Sequence, residues 1–432
     1  MHAALVERPG SCIRRLAGKR RREMQFTRFL RNDAVTPDEI AAHAAAGTAA
    51  RAEGRDVVVI QDTSELALGG RSARANGYGP VGKGGALGGL LLHAVLAVDA
   101  GTGELFGLIN AKVWNREGGK VESRRSRATA DKESQRWIDG SARAGEVLAG
   151  ARSITMVSDR ESDIYEYFAC RPANVHQIAR ACQDRQIETE DKSACLLFAF
   201  IDRLPEQGRF TVNIPAAPGR KARVAELAVR FSPVVLRRPR HGAADLPATI
   251  PLTVVDVRET SEPEDSEPIH WRLLTSHTVT LLGEARKIVD TYRLRWTVEV
   301  YFHTLKTAGF NIEDADIGNP PAMMNFVAAA SVAAITIMQL VQARDGNTGQ
   351  KLADAFDPDD QPILEAVSIQ LEGNTERQKN PHPKGSLAFA SWVIGRLGGW
   401  TGYYGKPGPR VMRRGLEDFQ RIKYGATLKL RL

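Results

Sequence analysis

Apolar and polar positions along the chain sort into stretches of different period. Residues 26–50 have helical spacing, and Thr36 stands where an N-cap belongs, before Pro37, Asp38 and Glu39. The V-V-V-I run within residues 56–61 has strand composition and stops at Asp62, and the glycine-rich residues 69–89 then read as a loop. Two apolar runs, 90–98 and 105–113, joined through Asp99, Gly101 and Gly103, predict a hairpin. A helix is expected over 131–148, a buried strand over Ser153–Ser158 ending at Asp159, and a helix over 162–168.

From 177 to 267 the helical period is lost, and short apolar runs such as 210–214 and 250–257 alternate with Pro- and Gly-containing turns. This stretch predicts an antiparallel, β-rich insertion, closed by the acidic residues 259–267 and followed by a strand at His270–Thr275. A long helix is expected over 283–308. Beyond Pro320 the pattern is mostly helical, with a Pro- and Asn-containing linker at 373–384, and the Ala-rich apolar residues 326–340 read as a buried helix too short for a bilayer. The early order strand, hairpin, helix, strand, helix is that of an α/β, ribonuclease-H-like core. The expected division is a short N-terminal helical region 1–50, a core in two parts at 51–176 and 268–345, the insertion 177–267 between them, and C-terminal helices 346–432.

Charge narrows the partners. Lys and Arg outnumber Asp and Glu by 59 to 51, which favours a polyanion. The excess is grouped at Arg14, Arg15, Lys19, Arg20, Arg21 and Arg22, at Arg124, Arg125 and Arg127, at Arg237, Arg238 and Arg240, and at Arg410, Arg413 and Arg414. Any one group reads as a solvated face; together they favour nucleic acid. Cys12, Cys170, Cys182 and Cys195 have no C-x-x-C spacing and are too few for a disulfide framework, which points to a reducing cytoplasm and no membrane.

Phosphodiester chemistry with divalent ions needs converging carboxylates. Asp62 and Asp159 each stand where an apolar strand run stops, where an open α/β sheet presents ligands; taken singly, each reads more readily as a cap of the following helix or turn. Tyr292, Arg295, Glu299 and Lys306 fall within roughly 60° of arc on the expected long helix, with Leu294, Val298, Tyr301, Phe302 and Leu305 on another stripe. A solvated face would look the same, but Glu299 suits a metal, and Arg295, Lys306 and Tyr292 suit a phosphate.

The spacing Y-x2-R-x3-E-x6-K over Tyr292, Arg295, Glu299 and Lys306 resembles the signature of the insertion-sequence-4 family of DDE transposases. V-V-V-I-Q-D-T-S-E around Asp62 and V-S-D-R-E-S-D-I-Y-E around Asp159 resemble that family's first two catalytic blocks, and 395–430 its C-terminal helical domain. The resemblance implies a triad of Asp62, Asp159 and Glu299 around two Mg2+ ions, for which Mn2+ substitutes, with Tyr292, Arg295 and Lys306 on DNA phosphates. It implies that Trp271 stacks on a flipped base, although a Trp opening a strand is more often core. The implied activity is cut-and-paste transposition on double-stranded DNA, at terminal inverted repeats and target, by a homodimer joined through C-terminal helices and associated with the nucleoid. Family members carry a longer N-terminal helical domain than the two dozen dissimilar residues before Met24, so end recognition is expected to be reduced.

Other signals lead elsewhere or nowhere. The run Gly79-Pro80-Val81-Gly82-Lys83-Gly84 has Gly84 where a phosphate loop needs Ser or Thr. His93, His270 and His303 lack metal-ligand spacing. A stand-alone nuclease would share the carboxylates without joining strands, and a DNA-binding remnant would be expected to lack one of them.

Overall fold

A computed structural model describes residues 1–69, 75–116, 132–189, 194–214, 221–240, 242–263, 266–403 and 405–429. Arg124, Arg125 and Arg127, the start of the 131–148 helix and part of the 69–89 loop lie outside the described residues. The chain divides into two units, the first comprising 1–53, 63–120 and 297–432 and the second 54–62 and 121–296. The division runs through strand β1 (Asp56–Ala67), immediately after Asp62.

In the first unit the expected 26–50 helix is two, Arg20–Leu30 and Pro37–Ala52. Thr36 is held extended, as the residue before a proline is, and its hydroxyl accepts from Glu39 N–H at 3.2 Å. Strands β2 (Gly79–Val81), β3 (Leu87–Asp99) and β4 (Leu105–Trp114) form an antiparallel ribbon, with β3 and β4 joined by the expected hairpin. Asp99 Oδ1 accepts from the N–H groups of Gly101 and Thr102, which fixes that turn. The helix Pro37–Ala52 packs on β4 where Gly107 leaves room; a Cβ there would stand 2.3 Å from Thr48 Oγ1. The 326–340 run lies within the helix Pro320–Ala343, long and apolar enough for a bilayer, yet 83% of its most apolar window is buried inside the protein. It is the unit's central core element, with the helices Leu387–Leu397 and Pro409–Lys429 against it.

The second unit holds a mixed sheet. The first half of β1 pairs in parallel with β5 (Ser153–Ser158), and β5 in parallel with β6 (Val175–Arg180). After β7 (Gln186–Glu188), β8 (Ala194–Leu196), β9 (Gly208–Ile214), β10 (Arg223–Arg237) and β11 (Thr249–Glu259), β12 (His270–Thr275) returns to pair antiparallel with β6. β11 and β10 continue the sheet through antiparallel pairing, and β9 and β7 add to β10. A helix, Leu197–Arg203, interrupts the stretch whose pattern held no helical period.

Two further expectations change. β1 does not stop at Asp62 but runs on to Ala67. The expected helix 283–308 is broken: it runs Leu282–Arg293, turns at Leu294 and Arg295, resumes over Trp296–His303, and widens to a π-turn at Thr304–Ala308. The roughly 60° arc, which assumed one regular helix, therefore does not hold.

Candidate active site

The last paired residues of the β1–β5 ladder are Ile60 and Val157. Asp62 and Asp159 each follow two residues later, Asp62 within β1 and Asp159 just past the end of β5, so both lie beyond the paired stretch of neighbouring parallel strands, whose axes lie about 4.8 Å apart. Period-two alternation sends both side chains to one face, opposite to Gln61 and Ser158. Both carboxylates are half-buried. Asp159 Oδ1 accepts from Glu161 N–H at 2.8 Å, so the capping role and an active-site role coexist; among the described residues it makes no ion pair.

Arg295 sits in the turn that breaks the helix, and its Nη1 lies 3.2 Å from Asp62 Oδ2. Tyr292 ends the preceding helical segment and is buried rather than presented on an open polar face. Burial pushes its phenol above the ordinary value, opposed by the charges of Arg295 and Arg180 and by a hydrogen bond from Arg295, with Asp159 adding to the rise. At neutral pH it is a protonated donor. Trp271, in β12 opposite Val257, meets Tyr292 edge-on with ring centroids 5.5 Å apart. The second unit thus gathers Asp62, Asp159, Tyr292, Arg295 and Trp271.

Glu299 and Lys306 belong to the first unit. Glu299 is half-buried on Trp296–His303, whose Val298, Tyr301 and Phe302 anchor it in the core. Lys306 lies in the π-turn, a helical irregularity frequent at functional sites, with its Nζ 3.6 Å from Glu313 Oε1.

The donor chemistry of Asp62 and Asp159, hard carboxylate oxygens where two neighbouring parallel strands stop pairing, fits a divalent cation that takes further ligands. Among the described residues no group of three or more His, Cys, Asp or Glu is assembled to hold a metal. Other signals resolve as structure. His93 Nδ1 meets Thr63 Oγ1 at 2.9 Å, His270 Nε2 meets buried Asp256, and Arg238 braces a turn through the carbonyls of Ala244 and Leu246. The glycine run at Gly79 forms β2 and a tight turn, not a loop entering a helix.

Sequence reading passed over Arg180, whose charge acts on Tyr292, and the buried pair Gln61 and Ser158. The last two carried a signal: each is the one polar residue closing an apolar run, directly before an Asp.

A sequence model of the family described as "Transposase DDE domain" matches residues 116–335, just over half of the chain. The match includes Asp159, Trp271, Tyr292, Arg295, Glu299 and Lys306; Asp62 precedes it.

Proposed function

Because this chain belongs to the DDE-domain transposases, we propose that it cuts DNA at the ends of a mobile element and joins the freed ends to target DNA. The family acts on DNA in a divalent-metal-dependent reaction, so the coarse activity is that of a metal-dependent DNA-cutting enzyme. The finer reading is that of the insertion-sequence-4 branch, on a ribonuclease-H-like core, with Asp62, Asp159 and Glu299 as the carboxylates for two Mg2+ ions. The observation that supports it is that Asp62 and Asp159 each come two residues after the last pair of one parallel ladder, Ile60 and Val157.

Bound metal would make water, and then a 3′ hydroxyl, a competent nucleophile and would offset charge on the phosphate. The chain's own groups do the rest. Arg295, ion-paired to Asp62, is a cationic donor to a phosphate oxygen. Tyr292, held protonated by burial, donates its phenolic hydrogen to the same group. Trp271 offers an indole face to a base drawn out of the duplex, and Lys306 a cationic contact to the backbone. Synapsis of two DNA ends calls for two copies of the chain.

The test is cleavage of labelled duplex bearing the element's flanking repeats by the full chain with Mg2+ or Mn2+, beside Glu299→Gln. Cutting at the repeat ends, reduced about a thousandfold or more in the variant, and joined products with target DNA are expected. Cutting that survives Glu299→Gln would remove Glu299 from the triad; cutting without joined products would make the chain a nuclease.

A further inference from the structure

The parallel ladder that aligns Asp62 with Asp159 ends two residues before them, at Ile60 and Val157, so the backbone pairing between these strands does not itself fix the spacing of the carboxylates. On the opposite face of these two strands lies a buried polar chain. Tyr167 Oη accepts from Gln61 Nε2 at 3.3 Å and from Ser158 Oγ at 3.3 Å. Ser158 Oγ lies 2.6 Å from Ser162 Oγ, which donates to the carbonyl of Asp159 at 2.8 Å. Gln61 also donates to the carbonyl of Trp137, and the backbone carbonyl of Tyr167 accepts from Gln177 on β6 at 3.0 Å. Gln61, Ser158, Ser162 and Tyr167 are all at most 1% exposed, where hydrogen bonds are strong and a missing partner is costly.

We propose that Tyr167 is a positioning residue whose phenol ties the residue before Asp62 to the residue before Asp159 and so sets the separation of the two metal-binding carboxylates. An apolar side chain would fill the same space, yet the site carries a hydroxyl bonded to both strands. The inference rests on the proposed metal role of Asp62 and Asp159. The chain provides its own control in Tyr165, on the same short helix, with its ring buried and its hydroxyl nearer solvent, bonding the carbonyl of Pro247 at 2.8 Å and neither Gln61 nor Ser158.

The experiment is a Mn2+ titration of the full chain, free Mn2+ being read by electron paramagnetic resonance, on wild type, Tyr167→Phe and Tyr165→Phe, each first shown to be folded by circular dichroism. Partners one step behind metal ligands typically change affinity about 10- to 100-fold, and Tyr167 acts one step further back, so Tyr167→Phe is expected to weaken Mn2+ about three- to tenfold. Tyr165→Phe should leave it unchanged. In DNA cleavage the Tyr167→Phe defect should shrink at saturating Mn2+, which a general loss of folded protein would not do. Equal Mn2+ affinities for the two variants overturn the positioning role while leaving the metal reading intact. Failure of wild type to bind Mn2+ overturns the metal reading, and the positioning role with it.

Discussion

Two acidic centres share the second unit's sheet and differ in how their charge is answered. Asp256 on β11 is fully buried, and its two oxygens are surrounded: Arg258 Nε at 2.8 Å, His270 Nε2 at 2.9 Å, and Arg230 and Arg272 at 3.9 Å. Asp62 and Asp159 are half-buried just beyond the last β1–β5 pair, the first meeting Arg295 and the second a backbone N–H. A carboxylate whose partners are all built in serves the fold, whereas carboxylates left partly solvated where two strands stop pairing can still take a ligand. The same sheet supplies both kinds, so acidity and burial alone do not mark a site.

The sharpest way to break this contrast is substitution at each centre. Asp159→Asn keeps an acceptor for Glu161 N–H, so thermal melting should change by less than about 0.5 kcal/mol while metal-dependent cleavage falls a thousandfold or more, above about 4 kcal/mol. Asp256→Asn should do the reverse, costing about 3 kcal/mol in denaturant unfolding with cleavage lost only in proportion to unfolded protein. If Asp256→Asn were instead stable and inactive, the division between the two centres would collapse.

A second, smaller contrast lies at the other end of these strands. His277 stacks on His176 with ring centroids 4.0 Å apart, and its Nε2 meets Thr155 Oγ1 at 3.0 Å. Burial, then the charges of His176, Lys287 and Arg171, lower its pKa from 6.5 to about 4. A histidine depressed in the folded state is protonated first in the unfolded chain, so its stabilisation is complete above about pH 6.5 and is lost as pH falls toward 4. Allowing for partial exposure, the loss is about 2 kcal/mol; His277→Gln should flatten the pH dependence of the unfolding midpoint across that window.

The smallest effect belongs to Asp56, at the start of the strand that carries Asp62. Arg152 and Ser153 hold its pKa down to about 2, so its contribution is present above the ordinary carboxylate value and is lost as pH falls toward 2. The pair is exposed, and Arg152→Gln should cost about 0.5 kcal/mol at pH 7 by chemical denaturation, without touching cleavage.

Much of this was legible in residue pattern. Ser153–Ser158 is a strand over the expected residues, and the turn at Asp99, Gly101 and Gly103 closes the expected hairpin, because apolar runs and turn chemistry act locally. The continuation of β1 past Asp62 was not legible. Its polar residues find distant partners, Thr63 at His93 and Glu65 at Gly82 N–H and Arg116, which no local period reveals. The break at Leu294 and Arg295 has neither Gly nor Pro; it is made by tight backbone bonds to Thr291 and Tyr292. Thr36, by contrast, was legible as the N-cap before Pro37, which drives it out of helical geometry, although the 26–50 stretch had read as one helix.

The most direct test of the account replaces the metal with Fe2+ and lets ascorbate and peroxide cut the polypeptide where the ion sits. Scission near Asp62 and Asp159, suppressed by excess Mg2+ and absent in Asp159→Asn, is the expected result. Scission that Mg2+ does not suppress, or that falls only beside His176, His277 or Asp256, would contradict it.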